Sequence, residues 1–346
     1  MSALPPLLLR ADAGGLLGSG HVMRSLALGE AWVDAGGACI LASVSLPQTL
    51  EARVSEGRGF LVRRIAAEAW SKADAAAVSA LAKQFSARAV VADSYLYNAG
   101  YLAALKDQGV CVTAIDDLAR LATYPCNVLV NPNLAGEEAL YAGKAENVRR
   151  LLGPRYVMLR REFSRHRASV RSIATVAHKL LVTFGGVDPK DGGGLALQAL
   201  AMTPNLDVDF VIGAANARAD DLAAKAAALP NVRIIRDARD MAARIMECEM
   251  ILSAGGTTVW EAAALGAPMM LAAAAPEEAN AAVRLAKGGL ALFLGEIEAL
   301  TPNALGAALN DFAGDMAARA RSSVLGRELV DGFGAERVVE AIRAFL

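Results

Sequence analysis

LLLRADAGGLLGSGHVMRSLALGEAWVDA, residues 7–35, is the stretch that decides the fold. The apolar residues at 7–9 start a strand, a glycine-rich turn follows at 14–20, and a helix is predicted over 20–35. A strand that enters a helix through such a turn is the first half of a βαβ unit, in which the next strand runs parallel to the first. This stretch therefore predicts an α/β protein with a mostly parallel sheet.

The same alternation of short apolar runs and longer amphipathic runs continues along the chain. In the first half it predicts strands over residues 38–42, 89–92, 110–115 and 128–130. Residues 165–178 are basic and polar without a clear period, so we interpret them as the connection between domains. A second series follows, with strands predicted over 179–184, 208–212, 232–235, 250–252 and 268–272.

The chain length and the double series predict two Rossmann-like, doubly wound domains that face a cleft. At 346 residues the chain exceeds the size at which a single core usually stops growing. We expect an N-terminal domain over 1–165, a C-terminal domain over 178–332, and a final helix over 333–346 that packs back on the N-terminal domain. Ligands of such sheets sit beyond the carboxyl ends of the strands, so the loops there are the candidate sites.

The charge balance and the cysteines exclude several classes of protein. Lys plus Arg total 35 and Asp plus Glu total 36, a net charge of -1, so nucleic acid is not an expected partner. The four cysteines are scattered without a close CxxC pair, which argues against a zinc site and for reduced thiols in the core.

Neither a membrane span nor a secretory signal is predicted. The most apolar stretch, residues 250–275, is interrupted by Glu261, Pro268 and several glycines. It is therefore typical of a strand, a helix and a second strand, because a span needs about 20 predominantly apolar residues. No basic residue precedes the short apolar run at the N-terminus, and Arg10 follows at once. We expect a cytoplasmic protein.

The glycine-rich turn does not have the spacing of a dinucleotide-binding loop. Gly15, Gly18 and Gly20 run GxxGxG, the reverse of GxGxxG, and no acidic residue ends the second strand. NAD is therefore not an expected cofactor. A helix that begins at this turn still presents free amide N–H groups to an anion or to developing negative charge.

His21 falls in the first turn of that helix, where the positive end of the helix dipole disfavours a protonated imidazole. A neutral imidazole is able to act as a general base. A lone histidine is more often a capping or merely polar residue, so the residue by itself leaves both interpretations open. His166 and His178 have no ligand partner at metal-binding spacing, and we assign them no role.

Two further strand ends carry polar side chains. Asp93 and Tyr95 follow the strand at 89–92, and Asp116 and Asp117 follow the strand at 110–115. Aspartates in such positions bind ligands or cap the next turn, and for Asp116 and Asp117 the two interpretations are equally favoured. Adjacent acids are also compatible with Mg²⁺, but no other feature of the sequence supports a metal site.

The second half of the chain offers two glycine-rich loops for phosphate. Gly185 and Gly186 end a strand, which is weak evidence alone. The run SAGGTT at 253–258 is stronger, because it joins a strand to a helix and presents amides and hydroxyls as a diphosphate site requires. Glu261, about one turn further, is able to accept from both hydroxyls of a ribose. The alternative is a favourable helix-dipole interaction of about 0.3–1 kcal/mol.

Taken together and in this order, these segments resemble the PseG family, the UDP-sugar hydrolases of pseudaminic acid biosynthesis. The matching pieces are RAD at 10–12 with GSGHVMR at 18–24, DDLA at 116–119, LGPRY at 152–156, LRxEF at 159–163, FGGxDP at 184–189 and SAGGTTxWEA at 253–262. They cover both halves of the chain, and their joint occurrence is far more specific than any one glycine loop.

The resemblance implies a glycosyltransferase-B type fold and metal-independent hydrolysis of a UDP-linked diacetamido-trideoxyhexose, UDP-2,4-diacetamido-2,4,6-trideoxy-β-L-altropyranose in that family. The products are UDP and the free sugar, for surface or flagellin glycosylation, and no cofactor is implied. The catalytic histidine of the family falls on His21, which would activate water.

The resemblance also implies two sets of binding residues. The sugar set is Arg10, Asp12, Gly18, Gly20, Arg24, Asp93, Tyr95, Glu277 and Glu278. The UDP set is Gly185, Gly186, Ser253, Ala254, Gly255, Gly256, Thr257 and Glu261.

Two departures from the family pattern leave other functions open. The family commonly has Asp-His-Tyr where Ser94 stands between Asp93 and Tyr95 here, and its Asn-Gln pair falls on Glu277 and Glu278. Two acids beside a UDP-sugar repel the diphosphate unless they point away or bind sugar hydroxyls and amides. An inverting UDP-sugar-dependent glycosyltransferase and a nucleotide-sugar-binding protein without activity are the alternatives to the hydrolase.

Overall fold

Two parallel β-sheets, each flanked by helices, form the protein in the computed structural model. It describes residues 4–14, 18–134 and 138–346, and of Glu277 only the backbone. The chain divides into two compact units: unit 1 comprises Met1–Arg161 and Gly332–Leu346, and unit 2 comprises Glu162–Asp331. The predicted α/β class with two Rossmann-like domains is confirmed.

Unit 1 contains seven strands and five helices within its described residues. The strands are β1 (Leu7–Ala11), β2 (Cys39–Ser43), β3 (Phe60–Arg64), β4 (Ala89–Asp93), β5 (Cys111–Ile115), β6 (Val128–Asn131) and β7 (Arg149–Leu152). The helices are α1 (Gly20–Asp34), α2 (Gln48–Ser55), α3 (Lys72–Gln84), α4 (Ala99–Lys106) and, after unit 2, α13 (Gly334–Arg343). The short α5 (Arg161–Ser164) lies at the boundary between the units.

The strand order of unit 1 places two strand ends side by side. All strands are parallel in the order β3-β2-β1-β4-β5-β6-β7, so the winding direction reverses between β1 and β4. The strands β1, β2, β4 and β5 are apolar runs buried along their whole length, as a parallel sheet covered on both faces requires. A crevice at the carboxyl ends of β1 and β4 is the usual ligand position in this topology.

Unit 2 repeats the arrangement with six strands. The strands are β8 (Lys179–Thr183), β9 (Asp207–Ile212), β10 (Val232–Arg236), β11 (Met250–Ser253), β12 (Met269–Ala273) and β13 (Ala291–Glu296). The helices are α6 (Gly192–Leu200), α7 (Ala219–Ala226), α8 (Met241–Glu247), α9 (Thr258–Ala264), α10 (Pro276–Lys287), α11 (Pro302–Gly314) and α12 (Met316–Leu329). The strand order is β10-β9-β8-β11-β12-β13, and the winding reverses between β8 and β11.

The predicted strands are confirmed, and three strands that the sequence pattern did not predict share one property. These are β3, β7 and β13, and each lies at an edge of its sheet. Their residues are mostly half-buried or exposed, and β3 and β7 carry adjacent arginines. An edge strand has one neighbour only and tolerates charge, so its apolar signal is weak.

The segment 165–178, which we interpreted as the connection between domains, is fixed to unit 2 by two arginines. Arg171 donates to the carbonyl oxygens of Leu265, Cys248 and Ile245. Arg319 is fully buried and donates to carbonyl oxygens on both sides, two in this segment and two at the end of α11. Carbonyl groups at helix C-termini attract such cations.

No helix within the described residues is long and apolar enough to cross a membrane. The most apolar stretch forms β11, α9 and β12, the strand, helix and strand that the sequence predicts.

Candidate active site

The carboxyl edge of the unit 1 sheet gathers charged side chains from three elements. His21 and Arg24 stand one turn apart at the start of α1, Asp93 ends β4, and Asp117 follows β5. Side chains three residues apart on a helix point to the same side. Because α1 begins just after β1, which neighbours β4, this side of α1 meets the ends of β4 and β5.

His21 and Asp93 form a buried pair. Nδ1 of His21 lies 2.7 Å from Oδ1 of Asp93, and His21 is 5% exposed while Asp93 is 0% exposed. An ionised carboxylate only accepts hydrogen bonds, so the contact favours the tautomer with its proton on Nδ1. Within the described residues no hydrogen bond occupies Nε2 of His21. In this tautomer of the neutral ring Nε2 carries no proton, as a general base requires.

Arg24 joins Asp93 to Asp117. Its guanidinium donates to Asp93 at 2.6 and 2.9 Å and to Asp117 at 2.8 and 3.0 Å. Asn133 donates to the same Asp117 at 2.7 Å. The side chain of Arg24 is only 12% exposed. Both edges of its guanidinium are engaged by carboxylates, and the role of Arg24 in substrate binding stays a prediction.

Asp93 remains ionised in spite of its burial. Burial alone raises the pKa of Asp93, but the positive charge of Arg24 and the contact with His21 outweigh it and lower the pKa to about 2. Asp93 was predicted as a sugar contact. Its two carboxylate oxygens contact His21 and Arg24, and its contact with the sugar stays a prediction.

Tyr95 covers one side of the imidazole. Its ring lies edge-on to that of His21 with the centroids 4.6 Å apart, and the residue is 45% exposed. Burial and the charge of Asp117 raise the pKa of the Tyr95 phenol, so it is protonated at neutral pH. Arg120 donates to the backbone oxygen of Tyr95. Ser94 accepts from the Leu96 amide in the same turn.

Arg10 and Asp12 are part of the core of unit 1. Arg10 is fully buried, is held by Asp74 at 2.6 Å and by Asp12 at 2.7 Å, and stacks on Trp70. Asp12 is 3% exposed and accepts from three groups in the turn after β2. Both side chains are buried, while Oδ2 of Asp12 makes no hydrogen bond within the described residues. The sugar contacts predicted for Arg10 and Asp12 stay predictions.

The glycine-rich turn is described only in part. Gly18 has a φ of +64°, Gly20 begins α1, and Ser19 makes no capping hydrogen bond with its side chain. Gly15, which belongs to the reversed glycine pattern, lies outside the described residues, as do residues 16 and 17. The roles predicted for Gly18 and Gly20 stay predictions.

In unit 2 the loop after β8 uses its own aspartates to cap the backbone amides at the start of α6. Asp188 accepts from the amides of Gly192 and Gly193 at 2.8 and 2.9 Å, and Asp191 accepts from Gly194. These are the amides at the start of α6, which an anion would otherwise use. The role in UDP binding predicted for Gly185 and Gly186, earlier in this loop, has no support from the start of α6.

The loop after β11 differs from the loop after β8 because the side chain of its N-cap residue does not cap the helix that follows. Ser253 and Ala254 are buried, Gly256 and Thr257 are exposed, and Thr257 makes no capping bond with its side chain at the start of α9. Glu261 lies half-buried in the first turn of this helix. The loop therefore leaves backbone amides accessible to a ligand.

Glu278 packs against this loop from α10. A Cβ atom at Gly255 would lie 2.6 Å from Cβ of Glu278, so only glycine fits there. The Glu278 carboxylate accepts from the Ala274 amide at 2.8 Å, and its other oxygen lies 3.6 Å from the Cβ position of Gly256. One of the two acids therefore does not point away from the loop. The side chain of Glu277, the other acid, lies outside the described residues.

Metal-binding side chains do not cluster in the part of the chain that the structure describes, where no group of three His, Cys, Asp or Glu residues converges. The four cysteines are free and buried.

Comparison with known proteins gives one curated relative. No protein-family model matches the chain. The spore coat polysaccharide biosynthesis protein SpsG of Bacillus subtilis (strain 168) is 26% identical over 200 residues. The match covers 57% of this chain and 59% of the relative, so the chain spans less than two thirds of that protein.

Solved structures match over almost the whole chain. The calicheamicin glycosyltransferase CalG4 has a TM-score of 0.66 at 17% identity, covering 100% of this chain and 99% of its own. HepE of Anabaena, solved in complex with UDP and glucose, has a TM-score of 0.61 at 12% identity, covering 99% and 100%. At such identities the likeness establishes the fold, and the predicted glycosyltransferase-B type is confirmed.

Proposed function

We propose that this chain is an inverting glycosyltransferase that uses a UDP-sugar, with His21 as its general base. The observation that carries the proposal is the contact between His21 and Asp93, which directs an unprotonated Nε2 away from the carboxylate. The fold shared with CalG4 supports glycosyl transfer, and the UDP held by HepE supports the nucleotide. The similarity to CalG4 favours glycosyl transfer over the hydrolysis that the sequence motifs suggest.

The proposed reaction is a single displacement at the anomeric carbon. Nε2 of His21 takes the proton from an acceptor hydroxyl while that oxygen forms a bond to the anomeric carbon. The bond from this carbon to the diphosphate oxygen breaks, and UDP leaves with the electron pair. Asp93 stabilises the imidazolium that forms, as the carboxylate of a catalytic triad does.

Recognition of UDP is assigned to the loop after β11. This loop offers backbone amides and hydroxyls to the diphosphate, which gains negative charge as UDP leaves. Its residues are Ser253, Ala254, Gly255, Gly256 and Thr257. Glu261 is assigned to the ribose hydroxyls.

The acceptor is proposed to be a glycan. The name of the Bacillus relative links it to polysaccharide synthesis. Tyr95, Leu96 and Leu118 are 45%, 55% and 39% exposed and follow the strands β4 and β5 that end beside His21. Apolar and aromatic side chains of this kind stack on sugar rings, and such a surface favours transfer over attack by water.

Hydrolysis is the second candidate, because the PseG-like motifs occur together in both halves of the chain. Water would replace the acceptor hydroxyl and lose its proton to the same nitrogen. Its substrate would be the UDP-linked diacetamido-trideoxyhexose.

The test measures UDP release from UDP-N-acetylglucosamine, UDP-glucose and the diacetamido-trideoxyhexose nucleotide, with and without oligosaccharides from bacterial surface polysaccharide. Anomeric NMR signals report the product. Release only with an oligosaccharide, with inversion at the anomeric carbon, supports transfer. Release without one supports hydrolysis, and binding of UDP without any release would overturn both.

A further inference from the structure

Asp116 and Asp117 are adjacent in the chain but have different surroundings. Asp116 accepts from the amides of Leu118 and Ala119 and from the hydroxyls of Tyr124 and Tyr141 at 2.6 and 2.9 Å. It therefore holds its own turn. The Asp117 carboxylate instead accepts from Arg24 and Asn133 at the carboxyl edge of the sheet.

The second aspartate is joined to the candidate base through one arginine. Asp117 accepts from Arg24, Arg24 donates to Asp93, and Asp93 pairs with His21. Asp117 is 11% exposed and Asp93 is 0% exposed, so water screens these charges weakly.

The charges of this cluster do not cancel while the base is neutral. Arg24 carries one positive charge and the two aspartates carry two negative charges, so the cluster holds one net negative charge. When His21 accepts a proton, the cluster becomes neutral. Without the second carboxylate, Arg24 would cancel the charge of Asp93, and a protonated His21 would leave a buried positive charge uncompensated.

We propose that Asp117 is a positioning residue that sets the basicity of His21 through Arg24, without contact to the imidazole. This inference rests on the proposed role of His21 as the base. It assigns the second of two adjacent aspartates to the reaction and the first to the fold.

Other charged groups around His21 do not supply this charge. Tyr95, which lies against the ring, stays protonated because burial raises its pKa, and Arg120 donates to the backbone oxygen of Tyr95 and lies 5.9 Å from the centroid of its ring. On β1, Arg10 is balanced by Asp12 and Asp74. Within the described residues, the side-chain hydrogen bonds of His21, Arg24, Asp93 and Asp117 join these side chains to one another and to Asn133. They do not reach the charged residues of α13, the helix that packs along α1, which are Glu336, Arg337, Glu340 and Arg343.

The electrostatics of Asp117 agree with this coupling. Burial alone raises the pKa of Asp117, but the positive charge of Arg24 and its hydrogen bonds outweigh it, and a protonated His21 lowers the pKa further. By reciprocity, ionised Asp117 favours the protonated imidazole.

The experiment is an NMR titration of the imidazole of His21 in the full chain, which needs no turnover. The chain has only three histidines, and the spectrum of His21→Gln assigns the signal. In Asp117→Asn the titration midpoint of His21 should fall by roughly one pH unit, a tenfold loss of proton affinity. If turnover is measurable, the acid limb of kcat/KM should move to lower pH by the same amount.

Two comparisons separate this role from a structural one. Asp116→Asn should lower the melting temperature, because the hydroxyls of Tyr124 and Tyr141 lose a charged acceptor, and leave the His21 midpoint unchanged. Asp117→Glu keeps the charge and should keep the midpoint closer to that of the native chain. If Asp117→Asn does not fold, Asp117→Glu and Asp117→Gln carry the same comparison.

A midpoint that is unchanged or higher in Asp117→Asn would overturn the inference. Absence of any turnover, with the expected shift of the midpoint, would leave the inference standing and count against the proposed function instead. The two failures are therefore distinguishable.

Discussion

At the carboxyl edge of unit 1 the side chains are charged and bond to one another, whereas the corresponding edge of unit 2 presents glycines and short hydroxyl side chains. His21, Arg24 and Asp93 hold their positions through charge-assisted hydrogen bonds of 2.6 to 2.9 Å. Gly256 and Thr257 lie exposed in unit 2, and a carboxylate oxygen of Glu278 lies 3.6 Å from the Cβ position of Gly256.

The difference separates two tasks. A general base needs a fixed tautomer and a fixed direction, which buried ion pairs provide. A diphosphate needs close approach to several amides, which only small residues permit. We therefore expect substitutions in unit 1 to change the rate of the chemical step, and substitutions in unit 2 to change the affinity for UDP.

The largest effect is expected at the base. His21→Ala should lower kcat by roughly 10³-fold, because proton transfer from the acceptor is lost. Asp93→Asn should have an effect of similar size, because an amide does not enforce the same tautomer. The dissociation constant of UDP, measured by calorimetry, should stay within about twofold.

The matched control is Asp34→Asn, at the exposed end of the same helix, where the aspartate pairs with Arg161. It should leave kcat unchanged. If His21→Ala kept the native kcat, the assignment of the chemical step to unit 1 would be wrong.

A smaller effect is expected from Gly256→Ala in unit 2. The added methyl group would lie 3.6 Å from the Glu278 carboxylate and take space in the proposed diphosphate site. UDP should therefore bind about tenfold more weakly, a loss of about 1.4 kcal/mol. Gly314→Ala, at an open position at the end of α11, is the control. Equal UDP affinity in both variants would show that the loop does not hold the nucleotide.

Glu278→Gln should act in the opposite direction. The amide keeps an oxygen that accepts from Ala274 but removes a negative charge beside the loop. UDP should bind about fivefold more tightly at low salt, with the gain shrinking as salt increases. Glu247→Gln, at the exposed end of α8 near the amino end of β11, should change nothing. Weaker binding in Glu278→Gln would mean that the carboxylate contacts the ligand through hydrogen bonds.

The smallest effect on nucleotide binding is expected at Asp188. Asp188→Ala removes the acceptor for two amides of α6 and places alanine at a φ of +50°. The free energy of unfolding should fall by about 1–3 kcal/mol, measured by urea denaturation, while UDP affinity stays unchanged. A large loss of affinity would instead assign this loop to the ligand.

Much of the fold follows from the sequence because buried parallel strands are continuous apolar runs. The runs at β1, β4 and β5 have no competing interpretation, and Gly and polar residues mark their ends. The edge strand β3, with two arginines among its five residues, has no such signal. Its position depends on pairing with β2, which is a property of the assembled sheet.

The candidate site was predictable in its members but not in its connections. The sequence predicts that His21 and Asp93 both follow strands of the first sheet. Their pairing depends on the strand order, which places β1 beside β4, and on the rotamers of both side chains. Arg10 has the same motif context as a ligand-binding residue, and only the position of Asp74, far along the chain, shows that it is buried. Glu278 likewise meets Gly255 through the packing of α10.

The position of α13 at the end of the chain means that synthesis of unit 2 is complete before synthesis of unit 1. Unit 2 is one continuous segment, whereas unit 1 includes α13, which packs along α1 and adds Val338 and Ile342 to the hydrophobic cluster that contains Trp32. Its first residue, Gly334, packs so closely that a Cβ atom would lie 2.1 Å from the Val157 carbonyl oxygen. The ribosome delivers all of unit 2 before this helix. Unit 2 is therefore able to fold first, while the face of α1 that packs against α13 stays uncovered until α13 has left the ribosome.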